Sequence, residues 1–528
     1  MVLATWPAVH LLSDHLLEPL YLPDVQGGMY WPWAFSRSLL SGEALYLRPE
    51  LMWPVGQDVR LLIWNHGVQF LLFPLFAALD PIPATNLSAL LIATINGLAG
   101  AWAGWCISGR RLGALIGLSV AVGSPYGFVE AGVGRPEQGL WAPLAVWMGA
   151  LATLWRCPDD RRMAVIAGLS LAWAGAVYWF YAVFAVLLLA VSLPLGRPTP
   201  THLRALVLAG GVSVVAVSPF LIPVLLSLLS SPEVLTGAVG ANDTVAMQTR
   251  ASILPVGFLG PLAVGEERSW RLPMLLVPVL LIGLIRGERG VRLVAGCGLL
   301  AAVFSAGPVL LDGARQSTGT PLPGAGLNLL PGFERFWWPY RWQAAATAAV
   351  VVVLPALIRS RRMAVAVILF SLIEGTVILR DGGARAVMGR AEVPALFVAL
   401  GKLEGTHPIL QLPGAWLRNS RVGWIPWHGQ PIDGGMGSGM GLAPPQRDIP
   451  MLTMIDSASL DPDMRGPAVF TEEEAGGFHY VIFYNEGPSE QRGPMRRGLR
   501  RVLGAPFYGD SSMMVWAVPG QAEPVVVP

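Results

Sequence analysis

The sequence predicts a polytopic α-helical membrane protein, with about 10–11 transmembrane helices, carrying a small C-terminal mixed α/β domain on the extracytoplasmic side. Three observations predict it. Of the 528 residues, 53% are hydrophobic and 13% charged, where soluble domains carry roughly 25% charged residues, and the mean hydropathy is +0.54. The apolar residues gather in runs near the roughly 20 residues that a bilayer crossing takes, and those runs stop close to residue 380. The arginines gather in short loops at alternate ends of the runs.

Residues 1–20 are ambiguous as a span. "MVLATWPAVHLLSDHLLEPL" carries His10, Asp14, His15 and Glu18, so either a first helix enters at its polar outer end or that helix begins upstream of Met1. There is no basic n-region or small-residue cleavage site, and targeting is expected from the spans themselves. "YLPDVQGGMYWPWAFSRSLLSGE" then sets Asp24 between a short apolar stretch and a tryptophan-rich amphipathic one, expected to lie along lipid headgroups. Residues 61–84 contain Asn65, His66, Pro74 and Pro81. Counting them as a span would put the following basic loop on the wrong side, so an interfacial or re-entrant helix is expected within an outer loop 21–85.

The predicted spans are 86–108, 112–131, 138–155, 163–179, 181–195, 204–229, 272–285, 291–311, 342–358 and 363–379. The apolar run from Met163 is too long for one helix, and the break is placed at Tyr178 to Tyr181 because Trp and Tyr favour the membrane interface. The loops "GRRLG", "RCPDDRR", "GRPTPTHLR", "RGERGVR" and "RSRR" face the cytoplasm by the positive-inside rule. The remaining loops and everything after 380 then face outward. Beyond that point "HPILQLPG", "FHYVIFYNE" and "SSMMVWAVPG" are short apolar runs bounded by turn residues, which read as strands. The predicted domains are therefore 1–380 and 381–528.

Charges near span boundaries carry the candidate chemistry. Asp24 is placed to act as a general base beside the membrane, or to end a helix in water. Asp58 and His66 share its outer loop. Glu130, Arg135 and Glu137 fall in the short connection "SPYGFVEAGVGRPEQGLWAP", where a charge beside a span favours a cavity or a partner. A simple interfacial ion pair between Glu130 and Arg135 fits equally. In "PGFERFWWPYRWQ", Arg335 and Arg341 flank aromatic residues and suit either a lipid phosphate, gripped by the planar guanidinium fork, or snorkelling anchors. Cys106, Cys157 and Cys297 leave no disulfide framework in the last third. His428 and His479 read as structural. No HExxH, P-loop, CxxC or GxSxG motif occurs, and a net charge of +2 gives no field directed at nucleic acid.

The order of these pieces resembles a family. An acidic first outer loop, "LLSGE" with "WPVGQD", "SPYGFVEAGVGRPEQ" between early spans, "LPGFERFWWPYRWQ" before a late span, and "ILQLPG" with "WHGQPIDGG" in the terminal domain look like the glycosyltransferase C superfamily, in particular YfhO-like bacterial integral membrane proteins. The resemblance implies transfer of a sugar from a polyprenyl-phosphate donor to an unidentified acceptor on the outer face, with membrane lipid as partner and Asp24 as catalytic base. Asp58, His66, Glu130, Arg135, Glu137, Arg335 and Arg341 would then bind substrate. No cofactor is implied by the residues. A divalent metal stays open, since one aspartate stands where many members have an acidic pair. A transporter or flippase, or a scaffold presenting the C-terminal domain, are the alternatives. The first should show repeated halves and helices interrupted at the midplane, whereas the polar clusters here lie at the outer boundary.

Overall fold

The computed structural model describes residues 15–16, 23–51, 56–59, 65–230, 248–249, 251–255, 257–258, 271–312, 316–329, 333, 336, 338–380, 389–390, 393–412, 424–433, 449–461, 463–485 and 489–527. Two compact units divide the chain. Residues 1–19, 64–226 and 238–389 form the first, and residues 20–63, 227–237 and 390–528 form the second.

The first unit is a helical bundle, as its composition requires. By length and apolarity, four of its described helical segments can cross a membrane: Pro81–Ser108, Trp179–Gly196, Pro200–Leu226 and Pro339–Leu357. Arg111–Gly123 and Tyr126–Gly132 make a fifth if the bent pair is one span. The other expected spans are helices of 11 to 20 residues, namely Ala142–Leu154, Arg161–Val177, Leu276–Arg286, Arg289–Ser305 and Arg361–Arg380. Several expected boundaries move, two of them because the helix is broken. Pro125 disfavours helix at the residue before it and divides the expected 112–131 span at Ser124. The 291–311 span ends at Ser305, and Val309–Leu311 pairs as a strand with Ser317–Pro321.

Helix Gln343–Leu357 is the axis of this unit, buried at every position from Gln343 to Pro355. Around it pack the helices at 81–108, 111–123, 142–154, 276–286 and 289–305. The tightest pair is the hairpin of Pro81–Ser108 and Arg111–Gly123, turned at Gly109 in the left-handed region (φ 64°). A Cβ on Gly100 would stand 2.6 Å from the Gly117 oxygen, and one on Gly104 would stand 2.3 Å from the Gly113 oxygen. Small residues let the two backbones touch, which is how membrane helices gain packing without a hydrophobic drive.

The arginine-rich loops meet at one end of this bundle. Arg110 donates to the Ile358 carbonyl at 2.8 Å, and Arg156 pairs with Glu288 and donates to the Ile107 carbonyl. Trp155 donates to the Gly196 carbonyl at 2.8 Å and stacks near His202. All five basic loops are therefore neighbours. Helices Arg161–Val177, Trp179–Gly196 and Gln343–Leu357 each have one end there and the other at Tyr178 or Arg341.

The second unit is a three-layer α/β/α domain. Its sheet runs in the order Ile409–Leu412, Tyr480–Tyr484, Met513–Ala517, Tyr508–Gly509, with the first pair parallel and the rest antiparallel. The three bursts read as strands are its three longer strands. Alternation of side chains sends Leu410, Leu412, Val481, Phe483 and Trp516 to one face, against helices Pro450–Leu460 and Ser489–Leu503. Ile409, Tyr480, Ile482 and Val515 face the other way, onto Tyr30, Ala34, Leu51, Phe397 and Ile425. Helix Pro23–Ser41 thus belongs to the core of this domain. The sequence reading puts the aromatic stretch of the outer loop 21–85 along headgroups; in the structure Met29, Tyr30, Ala34 and Phe35 of that stretch are buried. Burial of each large apolar side chain contributes about 1.5–3 kcal/mol, and the sheet face supplies the complementary surface. Arg48 pins the end of that helix, donating to the Ala34 carbonyl at 3.2 Å and to the Ser38 hydroxyl at 2.6 Å.

Candidate functional site

At the end of the bundle away from the basic loops, two chain breaks and one short helical turn bring charged and aromatic side chains together. The first break is the 124–141 connection. Pro125 starts the short helix Pro125–Gly132, Gly134 turns in the left-handed region (φ 88°), and Pro136 starts Pro136–Gly139. Asn96, in the middle of an apolar helix, fixes this connection: its amide donates to the Gly139 carbonyl at 2.8 Å and its oxygen accepts from the Ala142 N–H at 2.8 Å. The backbone is so close that a Cβ on Gly139 would stand 2.5 Å from the Gly127 oxygen.

That connection holds Glu130 fully buried, with Arg135 beside it. Arg135 Nη1 donates to Glu130 Oε2 at 3.1 Å and to the Tyr340 hydroxyl at 3.1 Å. The second break is Tyr178, extended (φ −155°, ψ 104°) between two helices. Its hydroxyl accepts from Arg341 Nη1. Arg341 lies in the turn Pro339–Trp342, and Trp342 sets its backbone by stacking on Phe184 with ring centroids 3.7 Å apart. The Arg341 guanidinium covers the Trp338 ring at 4.1 Å from its centroid, a contact worth roughly 0.5–2 kcal/mol as it loses water. Tyr181 completes the wall, donating to the Gln138 carbonyl and lying 3.4 Å from the Tyr126 hydroxyl.

The charge balance of this cluster is uneven. Arg135 is matched by Glu130, whereas no carboxylate lies within 4.0 Å of buried Arg341 among the described residues. Glu137 accepts from the Gln138 amide at 3.2 Å. Burial pushes its carboxyl above the usual range, and Arg341 and Arg135 oppose that push. Glu130 Oε1, Gln138 Oε1 and Arg341 Nε are buried without a hydrogen-bond partner. Such atoms are costly unless water or a ligand meets them, and here an acceptor and a donor of opposite charge both await one.

Of the residues singled out in the sequence, the structure brings Glu130, Arg135, Glu137 and Arg341 together. His66 opens helix His66–Ala78, where its ring lies against Phe220. Asp24 is in the first turn of helix Pro23–Ser41 and Asp58 in a two-residue strand. Their side chains, and Arg335 entirely, lie outside the described residues. Sequence reasoning took Tyr178 and Tyr181 only as the interfacial break between two helices, and it did not single out Tyr126 or Asn96. An asparagine mid-span was the available signal, since such a group needs a polar partner. Among the described residues no three His, Cys, Asp or Glu side chains could hold a metal ion, and Glu130 already accepts from Arg135.

No family model matches the chain, and no curated protein matches it in sequence. Solved structures do. The chain is similar to ArnT from Cupriavidus metallidurans, bound to undecaprenyl phosphate, with 15% identity and a TM-score of 0.54 over 99% of this chain and 98% of that one. It also matches the archaeal oligosaccharyltransferase AglB from Archaeoglobus fulgidus, in complex with an inhibitory peptide and a dolichol-phosphate, at 12% identity and a TM-score of 0.45, covering 94% of this chain and 70% of that one. The arabinofuranosyltransferase AftD from Mycobacteria matches at 16% identity and 0.44, with 96% of this chain against 40% of that one. At such identities the ArnT likeness shows a shared fold.

Proposed function

We propose that this chain, whose fold is similar to that of ArnT, is a membrane glycosyltransferase that moves a sugar from a polyprenyl-phosphate donor to an acceptor on the extracytoplasmic face. The observation that carries this reading is buried Arg341, a guanidinium whose Nε has no hydrogen-bond partner and which has no carboxylate at ion-pair distance among the described residues, next to a second arginine. A buried cation of that kind calls for an anion, and a lipid phosphate is the anion a membrane transferase handles. The likeness to a protein bound to undecaprenyl phosphate supports the same ligand.

In this reading the acceptor hydroxyl gives its proton to Asp24 and its oxygen bonds to the anomeric carbon. The bond from that carbon to the phosphate oxygen breaks, and the electron pair leaves with the lipid phosphate. Arg341, with Arg135 and Arg335, stabilises the charge that builds on the departing phosphate. Such positioned charge acts most strongly where water is excluded. Asp58, His66 and Glu137 would hold the sugar or the acceptor. A divalent metal has no donor set among the described residues, and no step is assigned to one. In this reading the site and the C-terminal domain beyond residue 380 face away from the cytoplasm, which the positive-inside rule, applied to the basic loops at the other end of the bundle, supports.

The test uses the full-length protein in nanodiscs supplied with polyprenyl-phosphate sugars extracted from a bacterial envelope, reading release of free polyprenyl phosphate by mass spectrometry. Asp24→Asn should slow release by roughly 10² or more with donor binding retained, Arg341→Gln should weaken donor binding, and Asp14→Asn should match the parent. Release at parental rates by both the Asp24 and Arg341 variants sinks the proposal.

A further inference from the structure

Helix Ser489–Leu503 of the C-terminal domain carries five arginines, Arg492, Arg496, Arg497, Arg500 and Arg501, which the transfer chemistry leaves unused. Its other face is already covered. Leu499, Val502 and Leu503 are buried in the domain core, and a Cβ on Gly498 would stand 2.2 Å from the Ile455 oxygen, a close approach that holds the orientation of the helix against Pro450–Leu460. Arg492, Arg496 and Arg500 repeat every four residues and line one side at about 6 Å per step, with Arg497 and Arg501 beside them. Arg497 and Arg500 are exposed. Arg492 Nη1 donates to the Asn485 carbonyl at 2.7 Å, and Arg496 Nη2 donates to the Asn485 side-chain oxygen at 2.7 Å. Two guanidiniums thus meet at one residue, itself tied to the Ser511 carbonyl at 3.1 Å, and the Nε of each is buried without a hydrogen-bond partner. Arg501 donates to the carbonyls of Ala458 and Asp461 and closes the end of helix Pro450–Leu460. Among the described residues no carboxylate lies within 4.0 Å of any of these arginines. Between Asn485 and Leu503 the acids are Glu486 and Glu490, so pairing both would still leave three of the five arginines unmatched.

We infer that this arginine face binds an acidic glycan, a carbohydrate chain whose carboxylate or phosphate groups meet successive guanidiniums; the inference uses the outward placement of the C-terminal domain proposed above and is independent of the donor reading. A lone exposed charge contributes little to binding. A row of charges facing a chain of repeated anions gains by multivalency, since each contact after the first is intramolecular, and each planar fork can grip a carboxylate or phosphate with two parallel hydrogen bonds. Lipid headgroups are disfavoured as the occupant, because an interfacial helix inserts its apolar face and the apolar face here is covered by the domain core. Nucleic acid is disfavoured because the helix offers no aromatic ring on which a base could stack, and because a domain outside the cytoplasm does not meet it.

Equilibrium binding of fluorescent probes to the full-length protein in neutral-lipid nanodiscs tests it; both faces of a nanodisc are open, so membrane orientation does not enter. The acidic probes are an oligogalacturonate and a phosphorylated dextran oligomer, each long enough to span the roughly 12 Å from Arg492 to Arg500. A neutral maltooligosaccharide of the same length and an oligothymidylate of the same charge are the comparisons. At least one acidic glycan should bind roughly tenfold or more tightly than both comparisons. Arg497→Gln with Arg500→Gln removes two exposed side chains that make no hydrogen bond among the described residues, and it should abolish most of that preference with Tm unchanged. Arg361→Gln with Arg362→Gln, which takes the same charge from exposed positions of the helical bundle, should bind like the parent. Acidic glycans that bind no tighter than the neutral one, parental binding by the Arg497 and Arg500 variant, or an equal loss in the Arg361 and Arg362 variant each overturn the inference. Oligothymidylate bound as tightly as the acidic glycans would assign the face to nucleic acid, and capture of the nanodiscs by phosphatidylglycerol vesicles without glycan binding would assign it to lipid; either result overturns the inference as well.

Discussion

Glu137 is the residue whose protonation state should report on the site. Its carboxyl is pushed up by burial against the downward pull of Arg341, Gln138 and Arg135, and Tyr178 also interacts with it. An anion bound at Arg341 removes part of that downward pull and favours the proton on Glu137 further. Binding is then coupled to proton uptake. Affinity for a singly charged phosphodiester should be greatest at acidic pH and fall as pH rises through the raised value of Glu137. Glu137→Gln, fixed in the neutral form, should bind with a flat profile over the same range. Stability carries the same sign: the folded state holds this proton at pH values where the unfolded chain has released it, so stability declines as pH rises above the ordinary carboxylate range. Binding measured from pH 5 to 8 on parent and variant checks the coupling, and identical slopes would remove it.

Among the elements, the glycine-faced hairpin of 81–108 and 111–123 makes the sharpest demand on sequence. Gly104→Val would put side-chain atoms where the Gly113 oxygen stands, with the first carbon 2.3 Å away. Because the neighbour is backbone, the helices must part, and overpacking of this kind costs typically 1–3 kcal/mol. Gly210→Ala on helix Pro200–Ser230 meets nothing within 4 Å and is the matched control. Thermal unfolding of the detergent-solubilised chain should show a clear drop in Tm for the first and none for the second. Long apolar runs and proline breaks made most helices legible in the sequence, including the break at Tyr178. The short helices Pro125–Gly132 and Pro136–Gly139 were hidden inside apolar patterns that also suit one continuous span. Helix Pro23–Ser41 was misread because an amphipathic, tryptophan-rich face is equally suited to lipid headgroups and to a sheet. Periodicity shows that a face must be covered and is silent on what covers it.

For the whole molecule, one asymmetry organises both fold and candidate site: arginines at one end of the bundle are loop residues, whereas at the other Arg341 is buried against tyrosines and Arg135, partly exposed, pairs with buried Glu130. The loop set was readable from charge alone. The site was half readable, since Glu130, Arg135 and Arg341 stood out as charges at span boundaries while their meeting depends on contacts more than two hundred residues apart in the chain, such as Tyr340 with Glu130. Orientation is then a matter of the loop set. Five basic loops that touch one another must share a side, as in the contacts of Arg110 with Ile358 and of Arg156 with Glu288, and short loops rich in Lys and Arg are retained in the cytoplasm. Helix Arg361–Arg380 starts in the last of those loops, so its far end and the chain beyond should be outside. A C-terminal fusion to a phosphatase that is active only in an oxidising compartment should be active, and a fusion to a fluorescent protein that matures only in the cytoplasm should be dark. Moving either reporter to the 156–162 loop should reverse both results. A bright C-terminal fusion would invert the protein in the membrane and, with it, the side on which any lipid-linked donor could reach Arg341, while leaving every contact within the bundle as described.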